Sequence, residues 1–260
     1  MDVLALSANL LLIATLVAMF AEAVGRRLFA PPWLRYGLAA AALMLAADLA
    51  VYLAGGGQGV PAWFYAVAAA VLAARVVTET VVGLAAAERL GLRPLPLLRP
   101  RSHGGRRRAL AAVGAGVACG VVLAAWSTAL FLLTDPGPAD GGPVLPWRMP
   151  GGTALAGFLT GLLLTALGEE LTFRLGIQNW LATRIGGGPG GYWAAIVLAS
   201  ALWSLGHLGR MDPEWVKLAQ IFPAGLLLGW LFRRSGFEAC VIAHAVLNLI
   251  MPQITPRVLG

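Results

Sequence analysis

Long apolar runs, separated by short polar or Pro/Gly-rich stretches, follow one another along nearly the whole chain. A membrane-spanning helix needs about 20 predominantly apolar residues, and eight stretches have or approach this length. We predict spans at roughly 3–24, 34–54, 60–86, 109–133, 152–172, 191–209, 215–232 and 236–252. The pattern therefore predicts an all-α polytopic membrane protein with about eight transmembrane helices.

Composition agrees with this pattern, since 59% of the 260 residues are hydrophobic and only 12% are charged. The net charge of +7 does not indicate a nucleic-acid partner, because the charges follow the predicted topology. With the N-terminus outside, thirteen arginines fall in inner loops, against four basic residues in the outer loops and the C-terminal tail. This is the positive-inside bias of multi-pass membrane proteins. The preference for arginine over lysine, with abundant Ala and Gly, indicates a bacterial source, so we expect a place in the inner membrane.

A basic loop at residues 88–108 divides the chain into two predicted parts. Residues 1–108 form N-terminal transmembrane helices and this inner loop, and residues 109–260 form the core that carries the candidate chemistry. In the first part, Arg75 and Glu79 have the spacing of a helical ion pair, and Asp48 is expected to be a hydrogen-bonded buried acid. Cys119 and Cys240 both lie in predicted spans without a suitably spaced partner, so we expect buried structural cysteines.

Two adjacent acids, Glu169 and Glu170, occur at the end of one apolar run, where a carboxylate costs several kcal/mol. Residues four apart share a helix face, so Glu170 is predicted to pair with Arg174 as a structural ion pair. Glu169 points about 100° away and has no cation at that spacing. It is therefore the candidate general base.

Two later apolar segments supply the other candidate groups. His207 ends the sequence WSLGH and shares a helix face with Trp203, while His244 and Asn248 are four residues apart. In one cavity, Glu169 assisted by His207 would activate a water molecule for attack on a peptide carbonyl. His244 and Asn248 would stabilise the oxyanion.

The spacing of these groups leaves a metal-assisted site open. The metalloprotease signature His-Glu-x-x-His is absent, and we expect no cofactor. Two histidines and a glutamate nevertheless suit zinc, with Glu169, His207 and His244 as the ligands.

The three motifs Glu169-Glu170-x-x-x-Arg174, Trp203-x-x-x-His207 and His244-x-x-x-Asn248 together resemble the CAAX prenyl endopeptidase and bacteriocin-processing (abortive-infection) family of intramembrane proteases. The family pattern is EExxxR, FxxxH and HxxxN in that order, and the resemblance covers roughly residues 150–252. The stretch FPAGLLLGWLFRRSG is also similar to the family's segment before the last motif. The departure is Trp203, where the family usually has Phe, a change that we expect to be tolerated.

The resemblance implies an intramembrane endopeptidase of glutamic type with its catalytic core in the four C-terminal helices. Glu169 would be the base, His207 would lie beside it, and His244 with Asn248 would form the oxyanion site. The substrate would be a membrane-associated or C-terminally tagged protein or peptide, since bacterial relatives process peptides or act on C-terminal sorting tags. The alternatives are a non-catalytic membrane partner, such as an immunity factor, and a proton-coupled transporter. A transporter is disfavoured because the polar groups crowd one half of the chain instead of matching halves.

One feature of the predicted spans conflicts with a shared site. With these boundaries Glu169 lies near the inner end of its span and His207 near the outer end of the next, so their depths differ by about 20 Å. The span of Glu169 must then begin later along the chain, or the glycine-rich stretch 186–191 must re-enter the membrane.

Overall fold

A computed structural model of the protein describes residues 3–29, 32–54, 61–98, 105–138, 164–186 and 188–258. The N-terminal part contains four long helices. They are α1 (Val3–Gly25), α2 (Trp33–Ala54), α3 (Ala62–Arg89) and α4 (Gly105–Thr134). A two-residue strand β1 (Gly137–Pro138) follows α4.

The C-terminal part is described from residue 164 and is again mostly helical. Its helices are α5 (residues 164–169), a π-helical segment (Glu170–Gln178), α6 (Asn179–Ile185), α7 (Pro189–Leu205), α8 (Glu214–Ser235) and α9 (Phe237–Val258). Strand β2 (Met211–Asp212), between α7 and α8, pairs antiparallel with β1. The π-helical segment joins α5 to α6 without a break, so the candidate acids lie in one continuous helix.

Within the described residues, five helices are long and apolar enough to cross a membrane. They are Leu6–Gly25, Trp33–Ala50, Ala62–Arg89, Gly105–Thr134 and Glu214–Ser235, with a shorter apolar helix at Phe237–Met251. Large apolar side chains of α1 such as Leu10, Leu11 and Val17 are exposed, as lipid-facing residues are. The all-α polytopic membrane fold is confirmed.

The predicted span 152–172 has the wrong C-terminal boundary. Residues 151–163 lie outside the described part of the chain, but the helix that contains Glu169 continues through the π-helical segment to Ile185. The charged residues Glu169, Glu170 and Arg174 were interpreted as the polar end of a span, whereas they lie inside a longer helix. Glu169 is therefore about as far from the α6–α7 turn as His207 is, which removes the conflict in depth.

Close helix packing in the C-terminal part depends on glycines. A Cβ atom at Gly120 of α4 would lie 2.5 Å from the carbonyl oxygen of Ala243 on α9. On α8, a Cβ atom at Gly225 would lie 2.7 Å from Ser200 on α7, and one at Gly229 would lie 2.7 Å from Gln178. The three glycines therefore lie where neighbouring helices are in close contact, as expected for small residues between membrane helices. Gly225 and Gly229 are four residues apart and so lie on the same face of α8.

Helix α8 contains Pro223, which has no N–H to donate to the carbonyl of Ala219 one turn earlier. The indole N–H of Trp126 on α4 donates to that carbonyl over 3.2 Å. A carbonyl freed inside a membrane helix needs such a partner from a neighbouring helix.

The two parts of the chain pack against each other through α3. A Cβ atom at Gly83 would lie 2.3 Å from the carbonyl oxygen of Leu175 in the π-helical segment, so the two backbones are in close contact. The predicted ion pair is confirmed on this helix, with Arg75 Nε 3.5 Å from Glu79 Oε1. The division at residue 108 remains a prediction about domain organisation.

Predictions for Asp48 and for the two cysteines can also be compared with the structure. Asp48 accepts the expected hydrogen bond, over 3.0 Å from the Tyr65 hydroxyl, but it is half-buried and not buried as predicted. Cys119 and Cys240 are both buried free thiols.

Candidate active site

The candidate residues converge at Trp203, a residue near the end of α7 that is 1% exposed. Its ring lies 5.5 Å from the His207 ring and 5.6 Å from the His244 ring, both in edge-on orientations. The guanidinium of Arg174 lies over its face at 4.4 Å from the ring centre. The three motifs that were recognised separately in the sequence thus form one cluster.

Glu169 and His207 face each other across a short gap. Glu169 Oε1 is 4.0 Å from His207 Nε2, while Glu169 Oε2 accepts a hydrogen bond of 2.5 Å from the Trp203 indole. The Glu169 side chain is 23% exposed and that of His207 is 11% exposed, so neither is completely buried.

The tautomer of His207 follows from its backbone contact. His207 Nδ1 lies 2.9 Å from the main-chain oxygen of Trp203, which can only accept a hydrogen bond. Nδ1 therefore carries the proton, and Nε2 of a neutral imidazole presents its lone pair toward Glu169. Two acceptors separated by 4.0 Å can each receive a hydrogen bond of about 2.8 Å from the same water molecule.

The second acid, Glu170, belongs to a different and fully buried group. Its Oε2 is 3.6 Å from Arg174 Nε, which confirms the predicted pairing, and both side chains are at most 1% exposed. Its Oε1 lies closer, at 2.9 Å, to Nδ1 of His244 on α9. This second contact joins the first motif to the third and was not predicted.

Helical spacing also separated the two acids correctly. The Phe173 ring lies 6.3 Å from that of Trp203, on the same face as Glu169, whereas Glu170 turns toward α9.

Asn248 lies one turn after His244 and is half-buried. Its amide forms no hydrogen bond with another residue in the described part of the chain, so its assignment to the oxyanion site stays a prediction.

Two contributions to the site were missed by sequence reasoning. The first is the indole donor of Trp203, which a phenylalanine at this position would lack; the Trp-for-Phe departure was the available signal. The second is Glu79, which accepts a hydrogen bond of 2.9 Å from the Thr172 hydroxyl and so connects α3 to the π-helical segment. No sequence pattern indicates this contact, since the two residues lie in different halves of the chain.

The zinc alternative can be compared with the geometry. Among the described residues, no three His, Cys, Asp or Glu side chains are placed to hold one metal ion. His244 directs Nδ1 to Glu170 and keeps Nε2 free, as a metal-ligating histidine also does. The zinc alternative therefore stays a prediction.

Comparisons with known proteins agree with the clustered motifs. Residues 151–250 match the family model described as type II CAAX prenyl endopeptidase Rce1-like. The sporulation-killing factor biosynthesis protein SkfC of Bacillus subtilis (strain 168) is 30% identical over 91 residues, which are 34% of this chain. The chain matches only 17% of the length of that relative. No solved structure matches the chain significantly.

The matched region contains all the candidate residues, from Glu169 to Asn248. The matched family is a family of proteases, which supports a peptidase activity at the level of the family. Over residues 151–250, this membrane protein is therefore similar to the type II CAAX prenyl endopeptidase Rce1-like family.

Proposed function

We propose that this protein is an intramembrane endopeptidase in which Glu169 and His207 together activate water. The observation that carries the proposal is the 4.0 Å separation of Glu169 Oε1 and His207 Nε2, both acceptors. A water molecule that donates one O–H to each of them keeps its lone pairs free to attack a carbonyl carbon.

The reaction then balances with residues of this chain. The water oxygen bonds to the peptide carbonyl carbon while Glu169 takes a water proton. That proton passes to the amide nitrogen as the C–N bond breaks, which regenerates the carboxylate. The Asn248 amide donates to the oxyanion.

His244 would assist Asn248 through its free nitrogen. Its Nδ1 proton points to Glu170, so Nε2 offers an N–H to the oxyanion only when the ring is an imidazolium. The buried Glu170 carboxylate is placed to stabilise that cation. Glu170 then has a role in the oxyanion site as well as in the ion pair with Arg174.

The substrate class follows from the surroundings of the site. An apolar cavity of about 410 Å³ between α7 and α8 is lined by Ser204, Leu205, Phe222 and Pro223, among others. Ser204 lies three residues before His207, so the cavity and the proposed water-activating pair share the C-terminal end of α7. We infer an apolar segment of a membrane-associated or C-terminally tagged protein or peptide as the substrate. The protein would act in the inner membrane of a bacterium, with its N-terminus outside.

The test compares matched acid-to-amide substitutions. Glu169→Gln and His207→Ala should abolish cleavage while the protein still inserts in the membrane. Asp48→Asn should leave cleavage unchanged, because an amide oxygen still accepts the Tyr65 hydrogen bond. The measurement is a mass-spectrometric comparison of membrane-protein C-termini from cells that contain each variant.

Two outcomes would redirect the proposal. If Glu169→Gln and His207→Ala both retain the wild-type pattern of C-termini, the protein is not this enzyme, and a non-catalytic membrane partner is the better explanation. Zinc analysis of purified protein, with cleavage measured before and after chelation, tests the metal alternative. A stoichiometric zinc ion and loss of cleavage on chelation would replace the water-activating pair with a metal site.

A further inference from the structure

Trp203 forms hydrogen bonds with both members of the proposed water-activating pair. Its indole N–H donates to Glu169 Oε2 over 2.5 Å, and its main-chain oxygen accepts from His207 Nδ1 over 2.9 Å. One residue therefore holds the carboxylate through its side chain and the imidazole through its backbone.

The indole bond determines which carboxylate oxygen faces His207. With Oε2 engaged by the indole, Oε1 is the oxygen that lies 4.0 Å from His207 Nε2. A hydrogen bond from an N–H to an ionised carboxylate is stronger and more directional than one between neutral groups. Without it, the Glu169 side chain is free to rotate, and the two acceptors no longer share one water position.

The orientation of the indole is itself fixed from several sides. Arg174 lies over one face, and the rings of His207, His244 and Phe173 surround it at 5.5 to 6.3 Å. A phenylalanine at this position would keep one ring among these neighbours. It would remove the N–H donor together with part of the ring volume.

We propose that Trp203 is a positioning residue whose indole N–H orients Glu169 toward the shared water site. Trp203 contacts no reacting atom; it acts through Glu169. The catalytic part of this inference rests on the proposed function, whereas the hydrogen bond can be tested without any substrate.

The chain contains a matched control for the substitution. Trp180 also donates its indole N–H to a carboxylate, Glu22 Oε2, over 2.7 Å. Arg184 lies over the Trp180 ring at 4.3 Å, much as Arg174 lies over Trp203. Trp180→Phe therefore removes the same type of hydrogen bond beside the same type of cation, away from the candidate site.

The first measurement is the indole N–H signal in ¹⁵N-tryptophan NMR spectra of the purified protein in detergent. Trp203→Phe identifies the Trp203 signal by its loss. Glu169→Gln should shift this signal, while Asp48→Asn and Trp180→Phe should leave it in place. A Trp203 signal that does not respond to Glu169→Gln overturns the inference, whether or not the protein cleaves anything.

The second measurement is cleavage of a peptide copied from a C-terminal segment that wild-type cells process. Trp203→Phe should lower kcat about ten- to a hundredfold, the range for losing a hydrogen bond to a charged group. KM should change less than about threefold, because the lost contact is not with the substrate. Trp180→Phe should keep the wild-type kcat.

An unchanged kcat in Trp203→Phe overturns the positioning role even if the indole signal responds to Glu169→Gln. If the wild-type protein processes no C-terminus in cells, the proposed function fails, and the NMR signal alone then decides whether Trp203 holds Glu169.

Discussion

At the scale of single residues, the least expected arrangement is the buried charge of Arg174. None of its side-chain nitrogens forms a hydrogen bond with a residue in the described part of the chain. Among the described residues, the guanidinium is compensated by Glu170 at 3.6 Å and by the face of Trp203 at 4.4 Å. The free energy of burying a cation with so few partners depends strongly on each of those partners.

This dependence predicts a non-additive double-mutant cycle. Arg174→Met leaves Glu170 as a buried charge without its cation and should lower the free energy of unfolding by about 3–5 kcal/mol. Adding Glu170→Gln should recover part of this loss, since a neutral amide needs no cation and can still accept from His244. The measurement is equilibrium unfolding of each variant in detergent. A double variant less stable than Arg174→Met would show that the two charges are not coupled.

The helical spacing of the first motif was sufficient to predict that Glu170 pairs with Arg174 and that Glu169 points elsewhere. It could not predict that His244 bonds to Glu170, because the contact joins residues 74 positions apart and depends on how α9 packs. Trp203 was also taken as equivalent to the Phe of the family pattern, because both are aromatic. An indole donor becomes informative only when the acceptor beside it is known.

At the scale of elements, sequence pattern predicted which segments are helical better than where they end. The charged residues of the first motif were interpreted as the polar end of a span that finishes at Thr172. The helix instead continues through nine π-helical residues into α6. Asn179 supports that transition by donating to the carbonyls of Arg174 and Leu175 over 3.2 and 2.9 Å. A π-helical segment is rare, often marks a functional site, and cannot be recognised from apolar periodicity.

The packing of α9 against α4 determines where His244 lies and gives a prediction at this scale. Gly120→Ala would place a methyl group 2.5 Å from the Ala243 oxygen and 2.6 Å from Val246 Cβ, so α9 must shift. Overpacking of this type costs about 1–3 kcal/mol. Cleavage should fall by about tenfold or more, because His244 adjoins the displaced residue. Thermal unfolding and the C-terminal cleavage assay measure the two effects.

Another glycine of the same helix is the matched control for Gly120. A Cβ atom at Gly114 meets nothing within 4 Å, so Gly114→Ala should preserve cleavage and stability or raise stability slightly. Equal losses in Gly114→Ala and Gly120→Ala would mean that helix packing at Ala243 does not position the site.

At the scale of the whole molecule, loops that the predicted membrane topology assigns to the same side of the membrane are in contact in the structure. Residues 137–138 pair with residues 211–212, both assigned outside, next to the turn that contains His207. At the other end, Glu238 accepts hydrogen bonds from the backbone N–H groups of Leu97 and Leu98, all assigned inside. Charge distribution alone predicts the orientation, and the pairing of loops is consistent with it.

The absolute orientation can be measured with single introduced cysteines, since both native cysteines are buried. Asp212→Cys lies at the exposed end near His207, and Leu98→Cys lies at the opposite end, where Leu98 is 67% exposed. With the N-terminus outside, a membrane-impermeant maleimide should label Asp212→Cys in intact spheroplasts and Leu98→Cys only after lysis. The reverse pattern would invert the topology and place the turn that contains His207 at the cytoplasmic face. A cysteine-free variant reports background labelling, and the expected pattern would place this turn at the outer face.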